Sequence, residues 1–138
     1  MKTIGIQIQS NEATIVVLES NEHGNISQTN ECIKLDMPDP NNISHVRQFR
    51  DQINSAFDNI NPDRIGIIAR NAKAKGFRAP SPTSFKLEGI IQLYSKKDVE
   101  IIWPQTLTAF YKKNDAAPNA KLVYQQDAFD LAHFLHFN

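Results

Sequence analysis

Three sets of side chains in this 138-residue chain could do chemistry. The first is a run of cations. From Arg64 to Leu87 the sequence places Arg64, Arg70, Lys73, Lys75, Arg78 and Lys86 with no acid among them. Arg70, Lys73, Lys75 and Arg78 could contact phosphates, because clustered cations displace the counterions of a nucleic-acid backbone. Only Phe77 and Phe85 lie nearby to stack on bases, so an exposed solubilising loop is the competing reading. A polar loop this long in a small domain is, however, more often functional than not. The second set is Asp127, Asp130, His133 and His136. Helical steps of three residues drift by about sixty degrees each, which carries Asp127 and His136 to opposite sides. A solvated face is therefore expected there, with no metal ligand set. The third is a pair. Gln7 lies on an opening strand, and Asp127 sits at the border of the packed face of the last helix, from which it could project across a sheet toward Gln7.

The elements that must position these groups start at the N-terminus. Ile4, Ile6 and Ile8 alternate on one strand face, with Gly5, Gln7 and Gln9 on the other. Ser10-Asn11-Glu12 is a polar link of hairpin length in which Asn11 could turn left-handed. Ala13 to Leu18 is almost wholly apolar, as a strand buried on both faces requires. Ile26 to Leu35 predicts a third strand at the sheet edge, and the prolines at 38 and 40 predict a loop. Ser44 can cap a helix running to about Asn59, whose inner side holds Val46, Phe49, Ile53, Ala56, Phe57 and Ile60. Ile65 to Ala69 is a short apolar strand of the kind reached by a helical crossover. A helix opened by Ser81-Pro82 or Thr83 follows, facing inward with Leu87, Ile90, Ile91 and Tyr94. Val99 to Trp103 is a fifth strand stopped by Pro104, with Trp103 expected in the core. Gln105 to Lys112 is a short helix. Lys121 to Phe137 is the last, packed through Tyr124, Ala128, Leu131, Ala132 and Leu135, with Asp130 on its wet side.

The order β-β-β-α-β-α-β-α predicts an α/β domain: a five-stranded mixed sheet flanked by helices. Length and an ordinary composition (41% hydrophobic, 22% charged) fit one domain over residues 1–138. Net charge is zero, yet residues 1–63 carry nine acids against four bases, which isolates the basic segment further. The apolar runs are strand-sized, so none is expected to span a membrane. The strand after Met1-Lys2, interrupted by Gln7 and Gln9, is a poor signal peptide. Cys32 is the only cysteine. It excludes an internal disulfide and is expected to pack as a small apolar residue. A cytoplasmic protein is the expectation. The chain has no nucleophile motif, no glycine-rich phosphate loop and no zinc spacing.

This element order, the opening Ile4-Gly5-Ile6-Gln7, the segment Ser84-Phe85-Lys86-Leu87-Glu88 before Ile90-Ile91-Gln92-Leu93, and Gln126-Asp127-Ala128 resemble the ribonuclease H-like fold. Within it they look most like the RuvC-type Holliday-junction resolvases, and nearest to a family of small uncharacterised bacterial proteins. The resemblance implies two divalent metals held by an aspartate on strand one, a glutamate ending strand four and acids on the last helix. Hard cations need such clustered oxygen ligands. Carried over, the strand-one position is Gln7, and the strand-four end reads Ile68-Ala69-Arg70-Asn71. Only Asp127 survives as an acid, and the resolvases' histidine three residues earlier is Tyr124.

The sequence therefore predicts a catalytically inactive ribonuclease H-like domain that binds nucleic acid through Arg70, Lys73, Lys75 and Arg78, with no cofactor. One alternative is a divergent Mg²⁺-dependent nuclease using Asp127 with a recruited acid such as Glu88. Another is a protein-interaction module on the same fold, and a homodimer stays open.

Overall fold

Alternation along the first strand sets the architecture. In a computed structural model that describes residues 1–70 and 80–138, strand β1 (Lys2–Gln9) buries Ile4, Ile6 and Ile8 against one helical layer. Its other face, with Thr3, Gly5 and Gln7, meets a second layer. Strand β2 (Glu12–Ser20) returns antiparallel, with Gln9 opposite Glu12 across a two-residue turn. The left-handed residue there is Ser10, at φ 56°, and not Asn11 as expected. Asn11 is held instead by Met37, whose N–H donates to its carbonyl at 2.9 Å and whose carbonyl accepts its side-chain amide at 3.3 Å. The middle of β2, Ala13 to Leu18, is almost wholly apolar because both layers use it: Ala13, Ile15 and Val17 face one core, Val16 and Leu18 the other.

The expected third strand is broken in two, so the sheet has six strands and not five. β3 (Ile26–Gln28) and β4 (Ile33–Asp36) both pair antiparallel with β2. Between them Thr29–Cys32 faces only Val16 and Val17, four residues against two. Side chains take over the ladder at that point. The Thr29 hydroxyl accepts the Glu31 N–H at 3.1 Å, and Cys32 Sγ accepts the Val17 N–H at 3.3 Å. Cys32 thus closes the bulge as an acceptor besides packing.

Helix α1 (Ile43–Ile60) buries Phe49, Ile53, Phe57 and Ile60. Its cap is Asn42 and not Ser44, because Asn42 Oδ1 accepts from the N–H groups of Ser44 at 2.9 Å and His45 at 3.3 Å. Asn61, left-handed at φ 52°, ends it. β5 (Arg64–Ile68) lies parallel to β1, and β6 (Val99–Ile102) parallel to β5, giving the order β3-β2-β1-β5-β6 with β4 also on β2. Between β5 and β6, helix α2 (Pro82–Gln92), capped by Ser81, packs Leu87 and Ile91 beside α1. Helices α3 (Pro104–Lys113) and α4 (Gln126–Leu135) form the opposite layer.

Two expectations fail in that layer. Trp103 is 50% exposed, because Pro104 starts α3 at once and turns the indole outward. The last helix begins at Gln126 and not near Lys121. Leu122 is extended, and Gln125 Oε1 accepts from both Leu122 N–H (3.2 Å) and Gln28 Nε2 (2.9 Å), which ties the turn over Val123–Gln125 to β3. Tyr124 is thereby 48% exposed, outside the packed face, with Lys34 Nζ 4.2 Å from its ring centre.

Arg64 joins the two layers' frame. Its Nε and Nη2 grip both Glu100 oxygens at 2.9 and 2.6 Å, while Nη1 donates to the Leu135 carbonyl at 2.7 Å, closing the C-terminal end of α4. Arg64→Ala should lower unfolding stability by about 2 kcal/mol at unchanged m-value in urea. Arg64→Lys should recover only part, since lysine has no planar fork. Full stability in the alanine variant would refute this role.

Candidate functional site

The site exists because α4 lies directly on β1. A Cβ on Gly5 would sit 2.0 Å from the Ala128 carbonyl oxygen and 2.7 Å from the Ala132 nitrogen, so only glycine admits the helix at that depth. To one side, the Thr3 hydroxyl donates to the Ala132 carbonyl at 2.8 Å. To the other, Gln7 Nε2 donates to Asp127 Oδ2 at 2.8 Å. Residues 3, 5 and 7 thus meet helix positions in descending order, and the helix runs antiparallel to the strand. Strand alternation and one glycine are enough to bring Gln7 and Asp127 together.

Past this pair the face opens into a cleft of about 660 Å³, with Gln7 and Ile68 from the sheet, Asp127 and Asp130 from α4, and Thr108 and Tyr111 from α3. Asp130 is not on a wet face, since α3 half-buries it. Burial pushes its carboxyl above the usual range and Asp127 adds to this, while the hydrogen bond from Gln126 Nε2 at 2.8 Å opposes it. His133 and His136 are likewise half-buried, and burial draws both below the ordinary histidine value. The Tyr111 hydroxyl is 2.8 Å from the Asp130 carbonyl and 2.9 Å from His133 Nδ1. A phenol has one proton to give, and the carbonyl can only accept it. The Nδ1–H of His133 therefore donates to the phenol oxygen. Tyr111 is a site residue outside the sequence expectations, which give α3 no inner face. The spacing of Leu107, Phe110 and Tyr111 was the available signal.

Glu88 belongs to the other layer. Its carboxylate accepts the Arg70 backbone N–H at 3.1 Å, at the end of β5. The half-buried Arg70 guanidinium donates through Nη1 to the Ile8 carbonyl at 2.5 Å. Burial lowers its pKa and Glu88 works against that. Arg70 and Glu88 thus brace the ends of β5 and β1 next to Gln7. Lys73, Lys75 and Arg78 lie outside the described residues.

The two-metal site that the resemblance implies does not fit these residues. At strand one a neutral amide has committed an N–H to the surviving acid. At the fourth position Arg70 brings positive charge, and Glu88 is spent on a backbone amide. Among the described residues no three His, Cys, Asp or Glu side chains could share a cation. Nor is any described helix long and apolar enough to cross a membrane.

Order, register and helix placement together define a ribonuclease H-like fold of the RuvC type. Thermus thermophilus RuvC superposes with a TM-score of 0.66 at 9% identity, over 99% of this chain and 95% of that one. T. thermophilus RuvC in complex with Holliday junction substrate gives 0.64 at 11%, over 99% and 94%. The yeast mitochondrial Holliday junction resolvase Ydc2 gives 0.60 at 9%, over 97% and 75%. At such identities the likeness is one of fold. The chain itself belongs to the family described as "Protein of unknown function (DUF3010)", whose model matches residues 1–135. No curated protein sequence matches it.

Proposed function

We propose that the chain is a single ribonuclease H-like domain of the cytoplasm that binds nucleic acid without cutting it, through the basic segment that starts at Arg70. One observation carries the inactive half of this reading: the 2.8 Å hydrogen bond from Gln7 to Asp127. It turns the one retained acid into the acceptor of an uncharged donor where metal-dependent cleavage needs converging carboxylates. The binding half is supported by the acid-free run of cations in the sequence, of which Arg70 lies at the end of β5 and donates to the Ile8 carbonyl, next to Gln7. Solved relatives in complex with Holliday junction DNA make a branched duplex the first ligand to try. A second copy of the chain is the protein partner that the same reading admits.

Gel-shift titration of four-way and linear DNA, in low and moderate salt, tests this. Affinity should fall steeply with salt, and charge reversal of Lys73, Lys75 and Arg78 together should weaken binding by roughly 100-fold. The DNA should survive incubation with Mg²⁺ or Mn²⁺. Absent binding at low salt, indifference to the charge reversal, or metal-dependent cleavage would each defeat the reading.

A further inference from the structure

The outer edge of β4 has a hydrogen-bonding and charge pattern that the nucleic-acid reading does not use. Bonding parity follows from the hairpin. Gln9 and Glu12 close a two-residue turn, so β2 residues 12, 14, 16 and 18 bond β1, while 13, 15, 17 and 19 turn the other way. The Thr29 N–H donating to the Val17 carbonyl agrees. Leu35 and Ile33, opposite Ala13 and Ile15, therefore bond inward, as does Met37 through its N–H to Asn11. The N–H and C=O groups of Lys34 and Asp36 point away from the sheet, and β2 is the only strand with which β4 pairs among the described residues.

Among the described residues, the charges on this edge are not all paired within one protomer. Glu12 stands directly opposite Asp36 in the ladder, two like charges in a cross-strand pair. Lys34 reaches Glu12 at 3.6 Å. No described lysine, arginine or histidine forms a salt bridge with Asp36. On the other face of the strand, Ile33 is 43% exposed beside a groove of about 700 Å³ between β4 and α1.

We propose that β4 pairs antiparallel with β4 of a second copy, in a register centred on Leu35. Four two-fold registers, one centred on each residue of this strand, keep each face of the sheet continuous, and centring on Ile33 sets Lys34 against the partner's Cys32, outside the strand. Centring on Lys34 sets lysine against lysine, and centring on Asp36 sets aspartate against aspartate. Centring on Leu35 sets Lys34 against the partner's Asp36, and Asp36 against the partner's Lys34. Those are the two residues whose backbone groups point outward, so each pair exchanges two ladder bonds, four in all. The two leucines meet at the axis as a close non-hydrogen-bonded pair. The partner's Lys34 supplies a cation that no described residue of the same protomer gives Asp36. The same axis sets groove against groove, where Arg47 and Asp51 give α1 rims of both signs. A strand this short makes a small interface, which fits a reversible dimer in the micromolar range or weaker.

A charge-swap series read by equilibrium sedimentation from about 10 to 500 μM tests this. The wild type should show a concentration-dependent dimer. Lys34→Glu and Asp36→Lys should each weaken it at least tenfold, and the double swap should restore it. Asp36→Lys places a cation opposite Glu12 within the protomer, so its thermal midpoint should be kept or raised while dimerisation is lost. This separates interface failure from unfolding. A wild type that stays monomeric, a dimer indifferent to both single swaps, or a double swap no better than the singles would overturn the proposal.

Discussion

Alanine at Gly5 should unseat helix α4. The added methyl would lie 2.0 Å from the Ala128 carbonyl oxygen and 2.7 Å from the Ala132 nitrogen, both backbone atoms that no rotamer change can move. The helix must lift from the sheet, opening the contacts of Ala128 and Ala132 with β2 and stretching the Gln7–Asp127 bond. Overpacking of this kind costs about 3 kcal/mol or more, a large share of a small domain's stability. Gly66 provides the control. A methyl there meets only the ends of flexible side chains, Leu135 Cδ1 at 3.0 Å and Leu131 Cδ1 at 3.3 Å, and should cost about 1 kcal/mol. Denaturant melts of both variants would show the contrast, and a Gly5→Ala protein as stable as wild type would mean that α4 does not sit where described.

Gln7→Asp should be the second large effect. It replaces the donor facing Asp127 Oδ2 at 2.8 Å with another carboxylate. At about 4 Å and an effective dielectric constant near 20, two such charges repel by about 4 kcal/mol, an upper bound for a site open to water. The pair escapes by sharing a proton, which raises one of its folded-state pKa values above that of the unfolded chain. The sign follows from linkage. The folded variant then binds the extra proton, so its stability is greatest near the unfolded carboxylate pKa and is lost as pH rises through the raised folded value. The variant should therefore melt near the wild-type temperature at pH 5 and well below it at pH 7.5. Equal melting of the two proteins at pH 7.5 would show that Gln7 and Asp127 do not meet.

Much of this frame is legible in single residues. The alternation of Ile4, Ile6 and Ile8 assigns β1 two faces, and the apolar run Ala13–Leu18 announces a strand used by both layers. The spacing of Phe49, Ile53 and Phe57 fixes the inner side of α1, because helical period and burial coincide there. The failures lie where side chains replace backbone partners. Thr29 and Cys32 break the edge strand with hydrogen bonds of their own, which no hydrophobic pattern reveals. Gln125 does the same before α4, so that Tyr124, in phase with the packed helix face, lies outside the helix. The approach of Gln7 to Asp127 could be anticipated from strand parity and a helix border. The half-buried state of Asp130 and His133 could not, because it depends on where α3 docks, a contact between segments about twenty residues apart.

Titration calorimetry of Mn²⁺ into the wild-type protein is the sharpest test of the proposal that this site holds no divalent cation. No saturable heat is expected up to about 1 mM metal, the weak end of biological oxygen-ligand sites. A stoichiometric isotherm below that concentration, abolished by Asp127→Asn, would contradict it.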